Sequence, residues 1–291
     1  TATHLRQLLR QVRFDTLGIF RSIPFIVLLL LGLANFIPSS LFRQNMYGTP
    51  TWPVTSQMLE ALQGSYSWLL VLIVLFYAGE LVWKERTARI AGITDATPVP
   101  NWVPLAGKFL ALVAVVLSFQ AIGGAASVLV QLSKGYTHIE PLLYVKTLLL
   151  NSTVFVLMGG LALVLQVLSN NKFLGYALLI LVLIGQSVLG LLDYAQDIYN
   201  YASAPNAPYS DMNGYGHFLT AQFAFQGYWA LFLGVLLLLC AALWVRGVDG
   251  GLRTRLRLAR QRLHGGLGVA LALAVVAFVG CGGWLYWNTN I

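Results

Sequence analysis

Apolar residues run along this chain in long unbroken stretches, and its polar residues gather between them. Seven stretches, at about 20–37, 66–83, 105–132, 142–168, 173–192, 228–245 and 266–287, are rich in Leu, Val, Ile and Ala. A helix needs roughly 20 apolar residues to cross a bilayer core. Strands would show apolar and polar residues in turn, and an open sheet in lipid would leave backbone groups unpaired. The pattern predicts an all-α polytopic membrane protein. It comprises a six-span domain over 1–247, a basic amphipathic linker over 248–265 and a seventh span over 266–291.

Two polar stretches keep a helical period. Leu5, Leu8, Leu9 and Val12 form an apolar stripe opposite Arg6, Arg10 and Arg13. Leu252, Leu256, Ala259 and Leu263 repeat it against Arg253, Arg257 and Arg260. Both suit helices lying at a headgroup surface, the first as an elbow leading into a span. Small-residue patches at 123–127 and 159–160, and at Gly266, Ala270 and Ala274, allow close helix contact, read as internal packing.

Composition agrees with this class: 58% of residues are hydrophobic and 10% charged, with a mean hydropathy of +0.73. The net charge of +8 reads as a topology signal. With the N-terminus in the cytoplasm, fifteen of the 18 Lys and Arg residues fall inside, and only Arg43, Lys134 and Lys146 fall outside. Seven spans then place the C-terminus on the outer side of the membrane. No nucleic-acid partner is expected. Cys240 and Cys281 lie within spans and suggest no disulfide framework.

Catalytic motifs are missing. The sequence holds no phosphate-binding GxxxxGK[ST], no HExxH and no GxSxG, and its four histidines are scattered. The chain is expected not to be an enzyme and to bind no metal or other cofactor. Glu80 is the only acid within the apolar stretches, near an end, so a relay of buried carboxylates for ion coupling is not expected.

The polar segment 84–102 stands out between the second and third spans. Lys84 to Ile93 can form two or three helical turns, and Pro98 and Pro100 would stop them. The sequence Glu80-Leu-Val-Trp-Lys-Glu85-Arg86, followed by Thr94-Asp95-Ala96-Thr97-Pro98-Val99-Pro100, Trp102 and Gly107-Lys108, resembles the cytoplasmic loop of type 2 ABC transporter permeases. The resemblance implies a helix that docks on a separate ATP-binding subunit, where ATP and magnesium would bind. Glu85, Arg86, Arg89, Asp95, Pro98, Trp102 and Lys108 are its candidate docking residues. A second permease half, homologous or identical, would complete the transporter, which the resemblance makes an exporter.

Two outer segments narrow the likeness. They are 46–55, Met46-Tyr47-Gly48-Thr49-Pro50-Thr51-Trp52-Pro53-Val54-Thr55, and 204–217, whose most specific part is Tyr209-Ser210-Asp211-Met212-Asn213-Gly214-Tyr215-Gly216-His217. With the ending Trp284-Leu285-Tyr286-Trp287, they resemble bacterial permeases fused to a thermolysin-like zinc aminopeptidase. This chain corresponds to the second permease half and the span before the peptidase. The peptidase and its zinc motif are not in the sequence. Tyr209, Asp211, Asn213, Gly214, Tyr215 and His217 would belong to an outer lid over the transport path, within an aromatic segment at 193–227 expected to be loop or short re-entrant helices. The alternative is a membrane anchor that scaffolds an extracytoplasmic aminopeptidase domain and transports nothing.

Overall fold

The computed structural model describes residues 2–42, 45–46, 49–50, 52–96, 99–192, 194, 196–244 and 252–290. Their helices are α1 (Ala2–Phe20), α2 (Ile23–Phe42), α3 (Thr55–Thr87), α4 (Ala91–Asp95), α5 (Trp102–Ser133), α6 (Pro141–Ser169), α7 (Lys172–Leu191), α8 (Phe218–Leu243), α9 (Leu252–Leu263) and α10 (Gly266–Asn290). Two short strands, β1 (Asn45–Met46) and β2 (Thr49–Pro50), pair antiparallel with Asn45 opposite Pro50. Among the described residues, α2, α3, α5, α6, α7, α8 and α10 are long and apolar enough to cross a membrane. The protein is an all-α, multi-pass membrane protein.

The centre of the bundle is α3, α5 and α6, which bury about half of their apolar lengths. Tyr66, Phe119 and Phe36 meet there, with the Tyr66 and Phe119 rings 4.7 Å apart and Phe36 edge-on to Tyr66 at 6.3 Å. Glycines make this density possible. A Cβ on Gly123 would stand 2.7 Å from the Tyr66 ring, and one on Gly160 would stand 2.4 Å from Leu233 of α8. The glycine patches of α5 and α6 thus pack within the chain, as their sequence suggests. The stripe in α10 departs from that expectation: Gly266 has no neighbour within 4 Å. α10 meets α8 and α9, chiefly through Phe278 stacked on Tyr228 at 4.8 Å.

Helix lengths depart from the apolar stretches in two places. α3 has 33 residues, about 50 Å at 1.5 Å per residue, which exceeds a core of roughly 30 Å. Its first turns, with Ser56, Gln57, Glu60 and Gln63, are polar, so hydropathy alone hides them. α8 starts at Phe218, ten residues before the apolar stretch, which shortens the outer segment. Its described residues before Phe218 hold turns and extended chain, with no re-entrant helix.

Segment 84–102 is also rebuilt. Residues 84–87 finish α3, and the separate helix α4 has only five residues. Arg89 adopts φ 56°. The Ile90 amide donates to the Glu85 carbonyl at 3.0 Å and the Arg89 amide to the Arg86 carbonyl at 3.1 Å. This is a Schellman cap with arginine where glycine is usual. The cap, rather than proline, ends the helix, and Pro98 lies outside the described residues.

α1 packs along α5. It buries Leu8, Asp15 and Ile19 and leaves Leu5 and Leu9 exposed beside them. That exposed apolar edge suits an elbow helix at the lipid boundary.

Gly123→Ala is expected to lower stability by about 1–3 kcal/mol, because the packed Tyr66 ring must give way. Gly64→Ala, on an open face of the same bundle, should be neutral or stabilising by up to about 1 kcal/mol. Thermal unfolding in detergent micelles distinguishes the two.

Candidate functional site

The end of α3 that carries segment 84–102 gathers most of the charge pairs, and we term it the basic end of the bundle. The Lys108 side chain from α5 is 2% exposed. Its ammonium donates to both oxygens of Glu85, at 2.6 and 2.9 Å, and to the Leu81 carbonyl at 2.6 Å. One turn away, Lys84 pairs with Asp15 of α1 at 3.1 Å and sits 4.2 Å above the Phe14 ring. Glu80 pairs with Lys172 of α7 at 2.5 Å. Glu80 and Lys84 lie one turn apart on one side of α3 and reach α7 and α1, while Glu85 turns to α5, so one helix end fixes three others.

Arg86 reaches a second junction. It donates to Asn170 Oδ1 at 2.9 Å, and Arg255 of α9 donates to the same oxygen at 2.9 Å. Asn170 is the left-handed cap of α6, at φ 49°. Arg255 also donates to the Val167 and Leu168 carbonyls, satisfying groups left open at the helix terminus. Burial, and then the adjacent Arg86, hold the Arg255 pKa below the ordinary arginine value. Arg262 closes α8 in the same way, through the Ala242 carbonyl at 2.9 Å and that of Trp244. The linker helix is thereby docked chiefly by its arginines; of its apolar stripe Ala259 is buried, while Leu256 is exposed.

A groove of about 430 Å³ opens at this end. Glu85, Arg86, Asp95 and Lys108 border it, together with Phe14, Asp15, Lys84, Ile90 and Trp244. Four of the seven candidate docking residues thus share one depression. Arg89 and Trp102 lie outside its lining, and Trp102 is about half exposed. Glu85 turns largely inward to Lys108, whereas Ile93 of α4 projects with 74% of its surface exposed. Asp15, Lys84, Lys172, Asn170 and Ile93 did not stand out in the sequence. The adjacent Asn170 and Asn171 between two apolar stretches are the signal that marks the junction.

At the opposite end, where aromatics cluster, the outer segment folds over α6. The Ser210 amide donates to the Gly214 carbonyl at 2.9 Å and the Gly214 amide to the Ser210 carbonyl at 2.7 Å. Gly214 and Gly216 hold φ values of 61° and 54°, which glycine adopts at least cost. The turn sets the Tyr209 and Tyr215 rings edge to face, 5.4 Å apart. Tyr215 hydrogen-bonds Thr147, and Tyr209 donates to Glu140 at 3.4 Å. Burial raises both phenol pKa values, and Glu140 and Asp211 add to the rise at Tyr209. His217 stacks on Phe218 at 4.3 Å, whereas Asp211 and Asn213 are exposed beside Met212 at the tip of the turn. Of the six candidate lid residues, Tyr209 and Tyr215 form the wall of a cleft of about 510 Å³ between α3, α6 and α8.

Among the described residues, no group of three His, Cys, Asp or Glu side chains could hold a metal ion. The chain matches no family model and no curated protein.

Removing one partner of a buried pair strands the other charge. Glu85→Ala should therefore destabilise the protein by about 3 kcal/mol, while Glu85→Ala combined with Lys108→Met should recover most of that loss. Denaturant unfolding of both variants in micelles provides the check.

Proposed function

We propose that this chain is the transmembrane half of an ATP-driven ABC exporter, coupled through segment 84–102 to a separate ATP-binding subunit in the cytoplasm. The observation that carries this reading is the build of the segment. An exposed apolar turn, with Ile93 at its tip, hangs between two helix ends pinned together by Lys108 and Glu85. A push on that turn is delivered to α3 and α5 jointly, and through Asp15 and Lys172 to α1 and α7. Glu85 and Lys108 serve as the frame in this reading. Ile90, Ile93 and the rim residues Arg86 and Asp95 form the contact face. The excess of Lys and Arg at this end supports a cytoplasmic placement, the resemblance implies a bacterial inner membrane, and a second permease half completes the transport path.

The anchor reading draws on α10. No residue of its apolar window is buried, and it touches the bundle through α8, as a tether would. It gives no role to the exposed turn at the opposite face.

Ile90→Asp with Ile93→Asp separates contact from framework, since both side chains are exposed. The expected outcome is a folded, inserted protein that no longer co-purifies with its ATP-binding subunit and no longer supports ATP-dependent export. Retention of both properties would sink the transporter reading.

A further inference from the structure

The cleft at the aromatic end has a polarity that the apolar spans do not require. Ser56, Glu60 and Gln63 lie at i, i+4 and i+7 of α3, and all three line it. Asn151 of α6 and Gln222 of α8 face them across the space. Glu60 is the one charged group in that lining, and no described side chain pairs with its carboxylate. The Gln222 Oε1 atom is buried and accepts no hydrogen bond. The Tyr209 and Tyr215 rings close the outer side. Lys146 lines a neighbouring cavity and not this one.

These features share one complement. An unpaired carboxylate, the open amide acceptor of Gln222 and aromatic walls all favour a cation that can also donate hydrogen bonds. The volume of about 510 Å³ falls within the 300–1,000 Å³ of small-molecule pockets and far exceeds the space of one metal ion. A calcium ion also wants six to eight oxygens, usually from several carboxylates, and the lining has one.

We propose that this cleft binds a small organic ammonium group, with Glu60 as its counter-ion and Gln63, Asn151 and Gln222 reading the polar atoms beside it. The site stands or falls independently of coupling to ATP. An ammonium group can reach it as a soluble amine or as the headgroup of a phospholipid at the same depth.

The test uses the full chain in nanodiscs of phosphatidylglycerol, which has no ammonium. Ethanolamine and leucinamide are titrated by calorimetry, against N-acetylethanolamine and N-acetyl-leucinamide. Native mass spectrometry supplies the lipid arm, comparing retention of phosphatidylethanolamine and phosphatidylglycerol. Saturable amine binding that Glu60→Gln weakens about tenfold or more, with the acetylated forms silent, supports the site and a soluble source. Selective phosphatidylethanolamine retention, lost in Glu60→Gln while the amines stay silent, supports the site and a lipid source. Gln222→Leu should weaken the same binding without changing the thermal midpoint, which separates ligand contact from folding. Equal binding by the Glu60→Gln protein, equal binding of acetylated probes, or no amine and no lipid preference overturns the proposal. A calcium signal without an amine signal overturns it as well.

Discussion

A lone ammonium cannot remain charged in an apolar interior without compensation, and Lys108 is nearly enclosed. The carboxylate of Glu85 and the carbonyl of Leu81 are the compensation, and their position dictates the rest of that end of the bundle. They set the register of α5 on α3. With that register fixed, Lys84 meets Asp15 and Glu80 meets Lys172, so α1 and α7 are held at the same depth. The Asn170 junction then adds the end of α6 and the linker helix α9. Isolated exposed pairs contribute little. Here the contribution is geometric: each pair forms only when four helix ends lie level.

The middle and the far end of the bundle follow other rules. At mid-depth the contacts are apolar and close, and glycines admit the Tyr66 ring and the Leu233 side chain. Toward the aromatic end neutral hydrogen bonds replace charge: Ser127 and Gln131 meet the Tyr144 hydroxyl at 2.7 and 2.8 Å, and Tyr215 meets Thr147. This end also has the two larger clefts described, of about 510 and 640 Å³. The bundle is therefore clamped at one end and open at the other.

The spans were legible in the sequence because burial in lipid demands continuous apolar residues, a signal that needs no knowledge of partners. The glycine patches of α5 and α6 were legible because adjacent small residues in a span allow a neighbour to come close, although Gly266 and other single span glycines stand open. The hub was not. Glu85 and Lys108 are 23 residues apart, and Asp15 and Lys84 are 69 apart. Their pairing depends on how helices cross, which no local pattern encodes. The polar start of α3 was hidden for the opposite reason, since Glu60 and its neighbours interrupt hydropathy without interrupting the helix. The break at Arg89 escaped notice because a non-glycine residue carries the left-handed turn.

One helix joins the two unlike ends. α3 runs from Thr55 to Thr87 without proline, the usual cause of a sharp kink. At Gly79 the Tyr176 ring fills the space beside the helix, whereas Gly64, next to Ser65, stands open. Glu60 and Glu85 lie about 38 Å apart along this rod at 1.5 Å per residue. A displacement imposed near Glu85 is carried along α3 as far as the open Gly64-Ser65 step, which borders the wall of the cleft at Gln63. At that wall Tyr215 meets Thr147 through a neutral hydrogen bond and Tyr209 reaches the Glu140 carboxylate only at 3.4 Å, whereas the clamped end holds three ion pairs. Motion entering at segment 84–102 would change the shape of the cleft before it disturbed the hub. That asymmetry follows from where the charges sit, whatever ligand the cleft receives.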